Sequence, residues 1–201
     1  MYKDGGTMKN TEGETFLQKI LKKILWKCSI TELKKIRQLD PTVVVGTGLH
    51  ILGGEYISVG EGSSLGTDTR LEAISRYEEQ TFIPNLFIGK RVRINQRLHV
   101  GVISKIDIGD DVLIGTNVLI TDHSHGAGVI EDRRIAPVKR NLYSKGPVKI
   151  GNKCWICDNA VILPGVIIGN NVTVAAGAIV TKSFPDNCVV GGNPARILKQ
   201  L

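Results

Sequence analysis

Aromatic residues, cysteines and long apolar runs are all scarce in this chain of 201 residues. Aromatics make up 5% of it while 42% is hydrophobic, so a core must be filled mainly by aliphatic side chains. The most apolar early stretch, residues 16–26, is interrupted by Lys19, Lys22 and Lys23, which argues against a signal peptide or a membrane-spanning helix there. We therefore expect a cytoplasmic protein.

Acidic residues are outnumbered, since the formal net charge is +7. A basic balance favours anionic partners such as nucleic acid, a phosphorylated cofactor or an acidic membrane surface, although solvated surface charge gives the same count. Aromatic residues interleaved with basic ones are scarce and no nucleic-acid-binding motif occurs, so we expect no nucleic acid partner. A Walker loop, a GxGxxG motif and a serine nucleophile elbow are also missing.

What the sequence does contain is a repeat with a period of six residues. An unbroken aliphatic file occupies every sixth position at Ile150, Ile156, Ile162, Ile168, Val174 and Val180. This period matches neither an α-helix nor a simple alternating strand. A short fixed repeat predicts a solenoid whose units bury their apolar faces by stacking on one another. One inward aliphatic residue per hexad fits a triangular parallel β-helix with three short strands in each coil.

The same file extends backward through the chain in groups of three. Its earlier members are Val45, Ile51, Val59, Leu65, Leu71, Ile88, Ile94, Val100, Ile108, Ile114 and Ile120. Together with the six positions from Ile150 to Val180, they make five coils and part of a sixth. From Val59 on, extra residues occur only after a third member: eleven before Ile88, two before Ile108 and twenty-four before Ile150. If three hexads make one turn, every insertion leaves from the same edge of the prism. We expect function at that edge, because functional residues concentrate on loops.

These patterns divide the chain into four segments. They are a disordered tail at 1–13, a helical segment at 14–41, the β-helix at 42–192 with a protruding loop at 121–147, and a C-terminal tail at 193–201.

The helical segment contains two amphipathic stretches. Apolar residues of 14–27 recur as one helical stripe opposite a lysine-rich face. Ser29 with Glu32 forms a capping box that opens a second short helix to about Gln38. These helices either cover the open end of the solenoid, which would otherwise expose strand edges, or rest on an anionic membrane.

The longest insertion begins with two histidines beside a carboxylate, in the run Thr121-Asp122-His123-Ser124-His125-Gly126. Such a group offers a general base near neutral pH, with Asp122 either orienting the base or stabilising the turn. A zinc site would need three converging ligands, and the histidine spacing does not supply them. The repeat also directs Cys154 and Cys157 to opposite sides, so we expect inert thiols and no metal.

The hexads, the histidine-bearing loop, Gly177-Ala178-Ile179-Val180-Thr181-Lys182 and Gly191-Gly192-Asn193-Pro194-Ala195-Arg196 together resemble the hexapeptide-repeat, left-handed β-helix acyltransferases. Within that family the chain is similar to the galactoside and maltose O-acetyltransferase branch, including its relatives that acetylate surface polysaccharides. The resemblance covers roughly residues 86–199. It implies an all-β solenoid that is a left-handed parallel β-helix. Residues before Val43 are not covered by the resemblance, and for them the amphipathic pattern predicts an N-terminal helical cap.

The resemblance also implies site residues. The family's catalytic histidine falls on His125, with His123 as the alternative, and its active-site asparagine falls on Asn95. A carboxylate that grips the acceptor in the galactoside enzyme falls on Ile103, so this chain differs there. Asp122 is the candidate orienting residue. The positions that match coenzyme A contacts are Trp155, Ala176, Thr181, Lys182, Arg196 and Lys199. Trp155 matches the family's Trp-Ile-Gly strand, in which Cys157 replaces the glycine.

The implied activity is acetyl-CoA-dependent O-acetylation of a sugar hydroxyl, of a surface polysaccharide or its precursor, with a histidine general base. The family forms homotrimers with sites between subunits, so we expect a homotrimer in the cytoplasm, with membrane contact through residues 14–27 as a further option. N-acetylation of an amino sugar or antibiotic, and a non-catalytic β-helix scaffold, are the alternative functions.

Overall fold

The structure, a computed structural model, describes residues 31–201 together with Leu17, Ile20, Leu21 and Ile24. Three sheets enclose one core as the faces of a triangular prism, and all their strand pairs are parallel except the last pair of face B. Face A contains Gln38–Leu39 (β1), Ile57–Val59 (β4), Asn85–Ile88 (β9), Lys105–Ile108 (β12), Val148–Ile150 (β17) and Ile167–Ile168 (β20). Face B contains Val44–Val45 (β2), Ser64–Leu65 (β5), Arg93–Ile94 (β10), Leu113–Ile114 (β13), Trp155–Ile156 (β18), Thr173–Val174 (β21), Cys188–Gly191 (β23) and Arg196–Gln200 (β24). Face C contains His50–Leu52 (β3), Arg70–Ala73 (β6), His99–Val102 (β11), Leu119–Thr121 (β14), Val161–Ile162 (β19) and Ile179–Val180 (β22).

The aliphatic file forms the core, as the period predicts. Its members stack in register on each face, for example Ile108 on Ile150 on face A and Ile114 on Ile156 on face B. These four side chains are at most 1% exposed. Successive coils lie about 4.8 Å apart along the prism, which is the ordinary spacing of paired strands.

Two of the three corners are built alike, by a turn that contains a residue with positive φ. Glycine and asparagine tolerate that conformation best, and several of the asparagines also bond to one another along a corner. Asn117 donates to Asn159 at the B–C corner, and Asn171 donates to Asn187 at the A–B corner, both at 2.9 Å. The positive-φ residues are Gly62, Arg91, Asp111, Lys153, Asn171 and Asn187 between faces A and B, and Gly48, Asp68, Arg97, Asn117, Asn159 and Gly177 between faces B and C.

The third corner, between faces C and A, takes the insertions, and we call it the insertion edge. A 3-10 helix at Gly54–Tyr56 lies there, followed along the prism by the hairpin Arg76–Tyr77 (β7) and Gln80–Thr81 (β8). The long loop leaves after β14 and contains the antiparallel pair Ser124–His125 (β15) and Leu142–Tyr143 (β16), with 3-10 helices at Ile130–Arg134 and Pro137–Lys139. The prediction that the insertions share one edge is therefore confirmed.

The first coil is more complete than the sequence predicted. Leu39, on β1, joins face A and packs against the core, so β1 to β3 form a sixth coil beside the five coils of the repeat. The prediction of a second helix to about Gln38 is wrong, because the described helical residues end at Leu33 and a strand begins at Gln38. Ile36, between the helical residues and the strand, belongs to the core cluster.

The end of the solenoid is covered by residues that follow the predicted amphipathic stripe. Leu33, Ile36 and Leu39 contribute to the core cluster, and the Glu32 carboxylate accepts the backbone N–H of Ile51 at 3.0 Å. The described residues of the stripe, Leu17, Ile20, Leu21 and Ile24, are helical and 41–77% exposed, so these four do not cover the core. Within the part of the chain that the structure describes, no helix is long and apolar enough to cross a membrane. Ser29 and the rest of 1–30 lie outside the described residues.

Candidate active site at the insertion edge

Asp122 fastens the start of the long loop to the coil beneath it. Its carboxylate is fully buried and accepts the backbone N–H groups of Ile103, Ser104 and Lys105 at 2.8–2.9 Å. Ile103 and Ser104 form the insertion edge of the preceding coil, between β11 and β12, and Lys105 is the first residue of β12. Asp122 therefore stabilises the turn, as one of its two predicted roles requires.

The same carboxylate also contacts His123, which is the other predicted role. His123 Nδ1 lies 3.1 Å from Asp122 Oδ1 and 3.4 Å from Thr121 Oγ1, and the imidazole is 11% exposed. A carboxylate only accepts hydrogen bonds, so His123 holds its proton on Nδ1 when it is neutral.

Gly101 leaves the room that the His123 ring occupies. It is on β11, paired with Thr121 of β14, and a Cβ placed on it would lie 3.1 Å from His123 Cε1. That distance is tighter than an ordinary carbon contact, so alanine would require the ring to shift by a few tenths of an ångström, and a side chain larger than alanine would displace it.

His125 is the exposed histidine of the pair, on β15. Its Nδ1 lies 3.3 Å from the hydroxyl oxygen of Tyr77, which belongs to hairpin strand β7. The two rings meet edge to face, with centroids 5.3 Å apart and planes at 73°. The sequence pattern assigned Tyr77 no role.

A polar cluster on face C lies two coils below the loop. Glu72, whose side chain is 12% exposed, accepts a hydrogen bond from Arg70 and contacts His99 Nε2 at 2.9 Å. Burial alone would raise the pKa of Glu72, but the hydrogen bonds from Arg70 and His99 outweigh it and hold the pKa below its usual value. His50 lies 3.8 Å from the other oxygen of the same carboxylate. His50 and His99 thus share Glu72 as a structural partner.

Asn95 does not meet the histidines within one chain. It follows β10 and lies at the B–C corner, whereas the histidines follow β14 and lie at the C–A corner. Face C separates the two corners. Asn95 is in the coil below the loop, as expected, but on a different edge of the prism.

The predicted coenzyme residues divide between the same two regions. Trp155 is half-exposed on face B, Ala176 lies at the B–C corner, and Arg196 and Lys199 are exposed on β24, which extends face B. Thr181 and Lys182 instead follow β22 at the insertion edge.

Register places the second pair close to the histidine loop. Ile120 is paired with Ile162, and Ile162 with Val180, so Thr181 occupies the position of Thr121 two coils further on, about 10 Å away. Lys182 Nζ lies 5.8 Å from the centroid of the Phe184 ring, a cation–π contact. The histidines and Lys182 therefore share one edge.

The three cysteines of the described part of the chain are poorly placed for thiol chemistry. Cys154 and Cys188 are buried and Cys157 is half-buried. Burial raises the pKa of each of these three thiols. In residues 31–201 and the four described helical residues, no three His, Cys, Asp or Glu side chains are grouped as a metal ion requires.

Three comparisons with known proteins bear on this geometry. The sequence profile of the bacterial transferase hexapeptide (six repeats) family matches residues 147–182. The chain is 38% identical over 155 residues to WbbJ of Escherichia coli K12, described as a lipopolysaccharide biosynthesis O-acetyl transferase, and the match covers 75% of each chain. It is 36% identical over 122 residues to the galactoside O-acetyltransferase of the same organism, covering 58% of this chain and 55% of that protein. The solved structure of a galactoside acetyltransferase in complex with coenzyme A aligns with a TM-score of 0.59 at 33% identity, over 71% of this chain and 64% of the other.

The chain belongs to the hexapeptide-repeat transferase family. Its fold is the left-handed parallel β-helix of that family, and it is an acyltransferase. The predictions of family, fold class and enzyme class are confirmed. The presence of coenzyme A in the solved galactoside enzyme agrees with the expected co-substrate.

Proposed function

We propose that the chain is an acetyl-CoA-dependent O-acetyltransferase that acetylates a sugar hydroxyl of a surface polysaccharide or its precursor. The observation that carries the proposal is the pair of imidazoles at the insertion edge, each with Nδ1 engaged by a neighbouring oxygen, which leaves Nε2 to accept a proton. The similarity to WbbJ, a lipopolysaccharide biosynthesis O-acetyl transferase, and to the galactoside O-acetyltransferase supports the substrate class.

In the proposed reaction, His125 Nε2 takes the proton of the acceptor hydroxyl while the oxygen attacks the thioester carbonyl carbon of acetyl-CoA. Backbone N–H groups stabilise the oxyanion of the tetrahedral intermediate. When the carbon–sulfur bond breaks, His125 returns the proton to the sulfur. The products are the acetyl ester of the acceptor and the free thiol of coenzyme A. His125 is preferred to His123 because it is exposed and matches the family's catalytic position.

The first experiment measures thiol release from acetyl-CoA with a panel of mono- and oligosaccharides, and with amino sugars as a second panel. His125→Ala should lower turnover by about 10²- to 10⁴-fold and leave coenzyme A binding intact. His123→Ala should cost less. The reverse order would exchange the two roles, and acetylation of amines alone would replace O-transfer by N-transfer. Absence of any transfer with bound acetyl-CoA would refute the proposal.

We propose that the site forms between subunits of a homotrimer. Asn95 and Ala176 lie at the B–C corner, across face C from the histidines of the same chain, and Trp155 lies beyond that corner on face B. One chain therefore carries half of the predicted site residues on each side of face C. A closed ring can bring the insertion edge of one copy to the B–C corner of the next. Face C also carries half-buried apolar side chains in one outward column, namely Leu119, Val161 and Ile179.

A subunit-mixing experiment tests this arrangement directly. His125→Ala and Asn95→Ala are each expected to be nearly inactive alone. When both variants are co-expressed, roughly a quarter of the sites should combine an intact histidine with an intact asparagine from different copies. Recovery to about that level supports the shared site. No recovery, or an active monomer by light scattering, contradicts it.

We propose that Lys182, Arg196 and Lys199 bind the phosphates of the coenzyme. Cations suit a long anionic ligand, and Arg196 with Lys199 lie on one exposed strand. Arg196→Ala should raise the KM for acetyl-CoA with little change in kcat. Comparison with 3′-dephospho-coenzyme A identifies which cation reads the 3′-phosphate, because the variant that has lost that contact no longer distinguishes the two coenzymes.

Residues 14–27 are proposed to contact the inner face of an anionic membrane. The four described residues of the stripe are exposed, and the core at this end of the solenoid is covered by Leu33, Ile36 and Leu39. Co-sedimentation with vesicles should therefore require anionic lipid and should be lost in Leu21→Glu. Ile83→Glu is the matched control, because Ile83 is 88% exposed and lies far along the chain from the stripe. Equal binding by Leu21→Glu contradicts the proposal.

A further inference from the structure

The β7–β8 hairpin holds the histidine loop by several bonds at once. The Gln80 amide donates to the carbonyl of Leu142 at 3.2 Å and accepts from the N–H of the same residue at 2.6 Å. Lys139 Nζ lies 2.9 Å from Glu78 Oε1. The hairpin leaves the insertion edge two coils before the loop, so it reaches along the edge to make these contacts.

Tyr77 makes the contact that concerns the chemistry. Its hydroxyl donates to the carbonyl oxygen of Val138 in the loop, and the same hydroxyl oxygen lies 3.3 Å from His125 Nδ1. A carbonyl oxygen carries no hydrogen, so the single phenolic proton must point at Val138. The tyrosine oxygen can then only accept from His125. The proton on Nδ1 is thereby required for this contact.

We propose that Tyr77 is a positioning residue that holds neutral His125 with its proton on Nδ1, so that Nε2 carries the lone pair used as the base. In a neutral imidazole one nitrogen donates and the other accepts, and the partner of one nitrogen decides the role of the other. The inference rests on the proposed function of His125.

Tyr77 also restrains the orientation of the histidine ring. His125 is exposed, so its ring would otherwise be free to rotate and present either nitrogen to the acceptor. The edge-to-face packing of the two rings adds to the hydrogen bond in fixing that angle. The ring contact and the hydroxyl contact can be separated by mutation, because phenylalanine keeps the first and removes the second.

The test compares Tyr77→Phe with Glu78→Gln as a matched control. Both substitutions remove a contact between hairpin and loop, but Glu78 touches Lys139 and not His125. Tyr77→Phe should lower kcat about 3- to 10-fold, the range one neutral hydrogen bond supplies, with the KM for acetyl-CoA unchanged. Glu78→Gln should stay within about twofold of wild type, since an exposed ion pair contributes little.

Proton placement is read independently of activity, by nitrogen NMR of protein labelled only at histidine. Wild type and Glu78→Gln should show His125 protonated at Nδ1, and Tyr77→Phe should show the proton shared between both nitrogens. Wild-type proton placement in Tyr77→Phe would overturn the inference. So would equal losses of kcat in Tyr77→Phe and Glu78→Gln, because that result would mean that the hairpin only orders the loop.

A double substitution separates this inference from the proposed function. In the His125→Ala background, Tyr77→Phe should cause no further loss of turnover, because both act through one imidazole. A further loss of the original size would show that Tyr77 acts elsewhere and would overturn the inference. If His125→Ala is fully active while Tyr77→Phe still moves the proton, the proposed base is wrong and the positioning of His125 by Tyr77 stands.

Discussion

Replacing Asp122 by alanine removes the one acceptor that three backbone N–H groups share. The Ile103 N–H belongs to a buried residue, so leaving it without a partner should cost about 1 to 3 kcal/mol. The bonds of Ser104 and Lys105 to Asp122 are partly buried, so water can replace only part of each lost bond, at a cost of about 0.5 to 1.5 kcal/mol each. We therefore expect Asp122→Ala to lower the free energy of unfolding by about 2 to 6 kcal/mol.

A matched control for this prediction lies in the same loop. The Asp132 carboxylate also accepts backbone N–H groups, from Gly128 at 2.7 Å and Val129 at 3.2 Å, but both of those residues are exposed. Asp132→Ala should therefore cost less than about 1 kcal/mol, because water can satisfy the donors it releases.

Urea unfolding followed by circular dichroism measures both variants, at one fixed protomer concentration because any oligomer makes stability depend on concentration. In a thermal scan, Asp122→Ala should melt roughly 5 to 20 °C below wild type. Asp122→Asn should recover part of the loss, since it restores one acceptor oxygen but turns an amide donor toward a backbone donor. A cost below about 1 kcal/mol for Asp122→Ala, or an equal cost for Asp132→Ala, would refute the reasoning.

Three further outcomes are expected. Gly101→Val should displace the His123 ring and lower the rate of acetyl transfer roughly tenfold or more, with coenzyme A affinity unchanged. Gly101→Ala should lower that rate much less. Equal rates for wild type and the valine variant in the thiol-release assay would contradict this prediction. Because its folded pKa is lowered, Glu72 should stabilise the protein above pH 4.5 and lose that contribution as the pH falls further. The difference in urea midpoint between wild type and Glu72→Gln should therefore shrink from pH 7 to pH 3.5, and a constant difference would show that the charge is not responsible. Ile156→Ala, at a fully buried position, should lower the free energy of unfolding in urea by about 2 to 5 kcal/mol. Trp155→Ala, one residue away on the outer surface, should chiefly weaken coenzyme A binding measured by calorimetry. If Trp155→Ala destabilised the fold and Ile156→Ala weakened coenzyme binding, the strand would face the other way.

The six-residue period was enough to predict the faces of the prism and the direction of most side chains. Ile156 and Val174 are buried where the period places them, and Trp155 between the file positions is half-exposed. The prediction succeeded because the pattern is local: each inward residue is decided by its distance from the previous one. The shared edge of the insertions followed from the same count. The second helix was predicted to run too far along the chain, because the helical pattern does not show that a strand begins at Gln38.

Contacts between coils were harder to predict from the sequence. Asp122 was identified as a candidate, but the three N–H groups it accepts lie 17 to 19 residues earlier, and no sequence motif connects them. Gly101 did carry a signal in the sequence, because it follows an inward valine on a predicted strand, and a glycine inside a strand often marks the close approach of another group. For Tyr77 the only signal in the sequence was its place in the insertion before Ile88.

Periodicity and composition determined by themselves that this chain winds into a β-helix with a histidine-bearing loop at one corner, because one inward aliphatic residue per hexad has few other ways to be buried. Only the tertiary structure decided which groups meet at that corner. Tyr77 and His125 are 48 residues apart, and their contact depends on how far two insertions of different length reach along the prism. The separation of Asn95 from the histidines by face C likewise follows from the number of strands in each turn. Distances of that kind are determined by the whole path of the backbone in space, which no short stretch of residues specifies.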